Sequence, residues 1–184
     1  GIGHGEMNLA EALEQSCNVY FFQAARKAGP RPLVEWAERL GVGRATGVDL
    51  PDEAGGNLPR PETSRHRWHA ADTLGLAIGQ STVLVTPLQM ARVMAAIAND
   101  GSLVTPHFAS QYGPRYLADD LAEPTAVTGA PDLRPISELD RATLGLVRKG
   151  LEAVVNDPRG TAYRTVRLDE SRIAGKTGTA EVAG

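Results

Sequence analysis

The sequence has almost no cysteine and no run of basic residues. Cys17 is the single cysteine in 184 residues, so no internal disulfide can form, and one thiol cannot build a structural zinc site. The 19 Lys and Arg residues are offset by 22 Asp and Glu residues. The basic patch that a nucleic-acid-binding protein needs is therefore missing, and we do not expect nucleic acid as a partner.

Long apolar runs are absent as well. No stretch reaches the roughly 18 to 20 apolar residues that a membrane-spanning helix requires, and the first five residues lack the charged-then-apolar order of a secretion signal. We therefore expect this chain by itself to be soluble. It starts without methionine and stops at Gly184, within a stretch that we predict to be a strand. We expect one partial domain over residues 1–184, cut at both ends.

The sequence predicts helices joined by Gly- and Pro-rich connections, without internal repeats. The strongest signals are two capping boxes, in which Asn8 pairs with Glu11 and Thr86 pairs with Gln89. Two strands are predicted, one over Leu103 to Thr105 and one over Arg172 to Val182. The predicted helices are one that runs from Asn8 and ends before Gly29, with a break after Gln15, then Pro32 to Leu40, Thr86 to Asn99, and a last one capped by Ser137 with Asp140 and stopped at Asp157.

Ser16 and Asn18 lie at the break between the first two helical stretches. On a continuous helix, side chains two residues apart diverge by about 200°, whereas at a break both can face one cleft. A hydroxyl beside an amide, each able to donate and accept, suits a proton relay and the binding of a substrate amide. The pattern is common by chance, and the alternative is a Ser and an Asn that cap helix ends at a kink.

A second motif, Lys176-Thr177-Gly178-Thr179, is rarer by chance and falls on the last predicted strand. Glycine lets another backbone approach closely. The threonine hydroxyls can bind a carboxylate, and the lysine adds positive potential where an anion would bind. The alternative is an ordinary edge strand whose lysine discourages aggregation.

The two motifs resemble the second and third of the three motifs of the serine penicillin-recognising acyltransferases, S-x-x-K, S-x-N and K-T-G. Further blocks are similar to class B penicillin-binding proteins of the elongation type, namely Ala12–Phe21, Ala77–Gln80, Val85–Ala91 and Ala174–Ala180. The resemblance implies an α/β fold of the α+β kind, as a fragment of the penicillin-binding transpeptidase and serine β-lactamase-like fold. A mostly helical part then carries Ser16 and Asn18, and an edge strand carries the K-T-G motif across a cleft.

The resemblance also implies an activity. It is that of a peptidoglycan D,D-transpeptidase, which cross-links D-alanyl-D-alanine stem peptides through a serine acyl-enzyme and binds β-lactams as mimics of that peptide. No cofactor is expected. Such an enzyme is anchored by an N-terminal segment at the extracytoplasmic face of the bacterial inner membrane, and its cell-wall elongation partners bind through regions outside this chain.

By the same resemblance, Ser16 relays a proton toward the leaving amine and Asn18 holds a backbone carbonyl of the substrate. Lys176 supplies positive field and hydrogen-bonds Ser16. The terminal carboxylate meets the two threonine hydroxyls, and the backbone N–H of Thr179 completes an oxyanion hole. The implied substrate-binding residues are Thr177, Gly178 and Thr179.

The S-x-x-K nucleophile is missing from the sequence. None of the seven serines has a lysine three positions later. In the family this motif precedes S-x-N, so we expect the nucleophile upstream of this chain and the isolated chain to be inactive. Alternatives are a β-lactamase-like or penicillin-sensing domain, and a non-catalytic scaffold or peptide-binding module. The serines are Ser16, Ser64, Ser81, Ser102, Ser110, Ser137 and Ser171.

Three other features of the sequence bear on function or local structure. His66, His69 and Asp72 have helical ligand spacing, but a fourth ligand is missing, and we expect an exposed loop that packs Trp68 and binds no metal. Cys17 is interpreted as a buried small apolar residue and not as a nucleophile. Ser81 stands where the similar family block usually has glycine, which leaves the local turn open.

Overall fold

The computed structural model describes residues 4–63, 67–108, 111–112, 125–126 and 133–179. Within these ranges helices dominate, and two antiparallel pairs of two-residue strands join them. The fold is therefore mixed, and the predicted α+β class is confirmed. None of the described helices is both long and apolar enough to cross a membrane. The helices are α1 (Leu9–Glu14), α2 (Asn18–Ala28), α3 (Pro30–Arg39), α4 (Ala70–Ala77), α5 (Pro87–Ala98), α6 (Arg141–Asn156) and α7 (Tyr163–Val166).

The strands in the described part of the chain are too short to form a sheet core. β1 (Ser102–Leu103) pairs with β4 (Arg134–Pro135), and β2 (Gln111–Tyr112) pairs with β3 (Thr125–Ala126). β1 begins one residue earlier than the strand predicted over Leu103 to Thr105 and ends two residues sooner.

Both predicted capping boxes are confirmed. Asn8 Oδ1 accepts a 3.0 Å hydrogen bond from the N–H of Glu11, and the Glu11 carboxylate accepts a 2.9 Å bond from the N–H of Asn8. At α5, Thr86 and Gln89 form the same reciprocal pair at 3.1 and 3.0 Å. These signals are local, so the sequence alone is enough to place both helix starts.

Other helix boundaries differ from the prediction. α3 begins at Pro30 and not at Pro32, directly after Gly29, which is both the C-cap of α2 and the N-cap of α3. Proline is well suited to this first helical position. Asp140 alone caps α6, through a 2.8 Å bond from the N–H of Thr143, so the assignment of Ser137 to the cap is wrong. The short helices α4 and α7 were not predicted.

The strand predicted around the K-T-G motif is also wrong for the residues described. Residues 171–179 have no regular secondary structure, and residues 180–184 lie outside the described ranges. A strand needs a partner for its hydrogen-bond ladder, and no described strand lies beside this segment. Instead α6 holds it. Gly175 N–H donates to the carbonyl of Leu151 at 3.1 Å, and the Asn156 amide donates to the carbonyl of Ile173 at 2.8 Å.

Close packing of α1 on α6 supports the site. A Cβ added at Gly150 of α6 would lie 2.6 Å from Leu13 Cδ1 and 2.9 Å from Leu13 Cβ, so glycine is required for the two helices to approach this closely. Further along α6 lies a buried cluster of Val154, Val155 and Ala162, against which Ile173 packs. The same helix therefore positions both α1 and the segment that leads to the K-T-G motif.

Candidate active site

A cleft of about 420 Å³ brings the two sequence motifs together. Its volume lies in the range typical of small-ligand sites. All six predicted site residues line it, from segments about 160 positions apart in the chain. The lining residues are Leu13, Ser16, Asn18, Phe21, Ala77, Ile78, Gln80, Lys176, Thr177, Gly178 and Thr179.

Ser16 owes its position to the way α1 ends. The N–H of Ser16 donates to the carbonyl of Leu13 at 3.2 Å, and the N–H of Cys17 donates to the carbonyl of Ala12 at 2.9 Å. This is the Schellman pattern, in which the residue after the helix cap adopts a left-handed conformation. Ser16 has φ 50°, where glycine is usual. The helix thus ends there, and Ser16 and Asn18 both line the cleft.

Lys176 joins the two motifs by hydrogen bonding. Its ammonium donates to Ser16 Oγ at 2.5 Å and to the carbonyl of Thr177 at 2.9 Å. Desolvation of the ammonium lowers the pKa of Lys176. A lowered pKa makes the ammonium a better proton donor to the hydroxyl that it contacts. Thr177 Oγ1 lies 3.1 Å from the same Ser16 Oγ.

Thr161 is a polar neighbour of the site that the sequence did not reveal. Its Oγ1 lies 2.7 Å from Thr177 Oγ1 and 3.4 Å from Ser16 Oγ. Thr161 belongs to the loop between α6 and α7 and matches none of the three family motifs. A single threonine in a Gly-containing loop carries no periodic or spacing signal, so reasoning from the sequence had no means to find it.

A buried carboxylate anchors this loop. Glu14, at the end of α1, is 2% exposed, and its carboxylate lies 3.2 Å from Arg159 Nε. Burial raises the pKa of Glu14, and the nearby charge of Asp157 adds to the rise. Hydrogen bonds from Arg159 hold the pKa of Asp157 below its ordinary value. The backbone carbonyl of Glu14 also accepts from the N–H of Thr161 at 3.2 Å, which fixes the loop to the end of α1.

The histidine-rich segment has a structural role where it is described. The backbone N–H of His69 donates to the Asp72 carboxylate at 2.7 Å at the start of α4, and Trp68 Nε1 donates to Thr73 Oγ1 at 2.9 Å. His66 lies outside the described residues. Among those described, no three His, Cys, Asp or Glu side chains are arranged to hold a metal ion. Cys17 is buried, as predicted.

Comparisons with known proteins agree with these motifs. The sequence family described as "Penicillin binding protein transpeptidase domain" matches residues 1–184. The peptidoglycan D,D-transpeptidase MrdA of Escherichia coli strain K12 is 33% identical over 99% of this chain. This chain covers 28% of that protein, so it spans less than a third of that relative's length.

Solved structures give the same result for the fold. The penicillin-binding protein PBP2 from Helicobacter pylori has a TM-score of 0.81 and 33% identity, over 97% of this chain and 32% of its own. The complex between PBP2 and MreC from the same organism gives a TM-score of 0.78, over 97% of this chain and 31% of that one.

Proposed function

Because this chain belongs to the penicillin-binding protein transpeptidase family, we propose that it forms part of the transpeptidase domain of a class B, elongation-type peptidoglycan D,D-transpeptidase. The reaction is acyl transfer. A serine attacks the D-alanyl-D-alanine bond of one stem peptide and releases the terminal D-alanine, and the amine of a second stem peptide then takes the acyl group. β-Lactams acylate the same serine. The hydrogen bond between Lys176 and Ser16 inside the cleft carries this proposal.

Ser16 is the proton relay in this proposal. Because the Lys176 ammonium donates to Ser16 Oγ at 2.5 Å, the Ser16 proton is directed elsewhere, and the leaving nitrogen can receive it. The Lys176 ammonium then replaces the proton that Ser16 gives up, which its lowered pKa favours. The 2.5 Å separation of Lys176 Nζ and Ser16 Oγ lies within the hydrogen-bond reach that proton transfer between the two groups requires.

The remaining cleft residues bind and polarise the substrate. Thr177 and Thr179 offer hydroxyls to the terminal carboxylate, while Lys176 supplies a positive charge beside them. Gly178 leaves room for the peptide backbone. The backbone N–H of Thr179 stabilises the oxyanion, a donor whose removal costs about 3 kcal/mol of barrier in comparable enzymes. The Asn18 amide holds a backbone carbonyl of the stem peptide.

The attacking serine and its lysine come from outside these 184 residues. Two facts support this proposal: no serine of the sequence has a lysine three positions later, and the chain covers 28% of its MrdA relative. The intact protein is anchored by an N-terminal segment at the extracytoplasmic face of the inner membrane. The complex of the similar PBP2 with MreC supports a cell-wall elongation partner, bound through regions outside this chain.

Penicillin labelling of the intact protein tests the proposal. We expect one covalent adduct, which peptide mass mapping locates on a serine outside this chain. Lys176→Ala should slow labelling by about 100-fold, on the order of the loss of one site donor. Lys27→Ala, which removes an exposed lysine of α2, should leave the rate unchanged.

Three other results would redirect the assignment. No adduct on a folded intact protein would favour a non-catalytic peptide-binding or scaffold module. An adduct that hydrolyses within seconds would favour a β-lactamase-like enzyme. A long-lived adduct with no cross-linking of stem peptides would favour a penicillin-sensing domain.

A further inference from the structure

We propose that Thr161 is a positioning residue of this site, which donates its hydroxyl proton to Thr177 and so leaves the Thr177 and Ser16 protons for the substrate. The proposal rests on the function proposed above. It assigns a role to a residue outside the three family motifs and predicts how that residue affects recognition of the substrate carboxylate.

Three hydroxyls form a triangle at the cleft. The separations are 2.7 Å between Thr161 Oγ1 and Thr177 Oγ1, 3.1 Å between Ser16 Oγ and Thr177 Oγ1, and 3.4 Å between Ser16 Oγ and Thr161 Oγ1. Lys176 donates into this triangle at Ser16 Oγ. The contact of Thr161 with Thr177 is therefore the shortest side of the triangle and the one expected to be the strongest hydrogen bond.

Counting protons assigns the direction of that bond. Each hydroxyl has one proton to donate and can accept two. An ionised carboxylate can only accept hydrogen bonds. Thr177 must therefore donate its hydroxyl proton to the substrate carboxylate in order to bind it. Ser16 must keep its proton for the leaving nitrogen. The short contact between the two threonines still needs a donor, and Thr161 is the one that remains.

The backbone around Thr161 is held in place. Its N–H donates to the carbonyl of Glu14, and the next residue, Ala162, is buried and donates to the carbonyl of Val154 at 3.0 Å. A Cβ at Gly160 would lie 2.3 Å from the carbonyl oxygens of Ala153 and Val154, so the loop lies directly against α6. A side chain on a backbone held in this way loses less entropy when its hydroxyl orients a neighbour.

The test compares penicillin with its carboxyl methyl ester on the intact protein. Thr161→Val replaces the hydroxyl by a methyl group of similar size, and Thr161→Ser keeps the hydroxyl. We expect Thr161→Val to lower the second-order acylation rate by about tenfold with the free acid and by less than twofold with the ester. Thr161→Ser should stay within about threefold of wild type on both.

The decisive quantity is the acylation rate with the free acid divided by the acylation rate with the ester. Loss of folded protein lowers both rates equally and leaves this ratio unchanged. Thr177→Val should lower the ratio in the same way, and the Thr161→Val/Thr177→Val double variant should lower it no further. Thr165→Val, the same substitution four residues along the chain in α7, should not change the ratio.

Three results would overturn the proposal: an unchanged ratio in Thr161→Val, additive effects in the double variant, or a Thr161→Ser variant as defective as Thr161→Val. The function proposed above fails separately, since it requires that the wild-type protein be acylated at all. If wild type forms no adduct, both proposals fall. If wild type forms an adduct and the ratio does not change, only the role of Thr161 falls.

Discussion

Ser16 combines an unfavourable backbone conformation with the side chain that the site uses. Its φ of 50° costs a non-glycine residue about 1 kcal/mol relative to glycine. The Schellman turn at the end of α1 imposes this conformation, and the contact of Ser16 with Lys176 gives a reason for keeping a hydroxyl there. Ser81 has a similar φ of 69°, which explains why glycine is usual in the matching block and shows that serine can form this turn too.

The first prediction separates the effect of the Ser16 hydroxyl on acylation from the effect of the backbone conformation at position 16 on stability. Ser16→Gly and Ser16→Ala both remove the hydroxyl, so both should slow penicillin acylation of the intact protein by about 100-fold. Only glycine relieves the left-handed backbone, so Ser16→Gly should be about 1 kcal/mol more stable than Ser16→Ala. Chemical denaturation measures the difference. A Ser16→Ala variant as stable as Ser16→Gly would show that the backbone at this position is not strained.

The second prediction concerns pH and Lys176. The site uses the protonated lysine, both as a positive charge and as the donor to Ser16 Oγ. Desolvation lowers the pKa of Lys176 below 10.5, the ordinary pKa of a lysine. The ammonium therefore loses its charge at a lower pH than an ordinary lysine does. The acylation rate should therefore fall as pH rises, with a midpoint below 10.5.

Lys176→Arg provides the matched control for this pH dependence. Arginine stays charged throughout the accessible range, so the variant should be slower at neutral pH, because its donor geometry differs, but should lose the decline at alkaline pH. Stopped-flow acylation between pH 6 and 10 measures both profiles. An alkaline decline that persists unchanged in Lys176→Arg would assign it to another group.

At the scale of elements, local signals were predictable and long-range ones were not. The capping boxes of α1 and α5 depend on residues three positions apart, and both were read correctly from the sequence. The break that leads Ser16 and Asn18 into one cleft was predicted because the first helical pattern is interrupted there. The conformation of the K-T-G segment depends on what lies beside it. Its sequence is typical of a strand, but the described neighbour is α6, so that prediction failed.

The position of the loop between α6 and α7 also depends on a long-range contact that the sequence does not predict. Thr161 reaches the site because its loop is held by Glu14, 147 positions earlier in the numbering of the chain. No pattern in the sequence around Thr161 predicts its contact with Glu14. The six motif residues could be proposed from a family resemblance, whereas a residue recruited by tertiary packing could not.

The third prediction tests the ion pair that anchors this loop. Arg159→Ala removes the cation that faces the buried Glu14 carboxylate, and Asp157 and Glu11 remain as negative neighbours. The pKa of Glu14, already raised by burial, should rise further, so the folded state binds a proton that the unfolded state has released. Stability is then lost as pH rises from 4.5, the ordinary pKa of a glutamate, through the raised pKa of Glu14 in the folded state.

Arg159→Ala should therefore lower the Tm of the intact protein more at pH 7 than at pH 4. In a Glu14→Gln background the buried side chain carries no charge, so the same Arg159→Ala change should cost less. Its dependence on pH should shrink to the part that comes from Asp157, whose pKa Arg159 also lowers. Thermal unfolding of the four proteins at both pH values measures the coupling. An equal cost in both backgrounds would mean that Arg159 does not compensate the Glu14 charge.

At the scale of the whole molecule, the site exists because two distant segments share one supporting helix. Ser16 follows α1, and Lys176 follows the segment that packs on Val155 and hydrogen-bonds to Leu151. Both are therefore positioned by α6. The hydrogen bond between Ser16 and Lys176 reports on the distance of α1 from α6, which in turn depends on the missing side chain at Gly150.

The last prediction changes that distance without altering any of the six motif residues. In Gly150→Ala the new methyl carbon would lie 2.6 Å from Leu13 Cδ1, so α1 must shift, and overpacking of this kind costs about 1 to 3 kcal/mol. Acylation should slow as Ser16 moves from Lys176. Gly145→Ala lies on the same helix, where a Cβ meets no atom within 4 Å, and it should stabilise the protein by about 0.5 to 1 kcal/mol through helix propensity with acylation unchanged. If the two variants had the same stability and the same acylation rate, the α1–α6 contact could not be what holds Ser16 against Lys176.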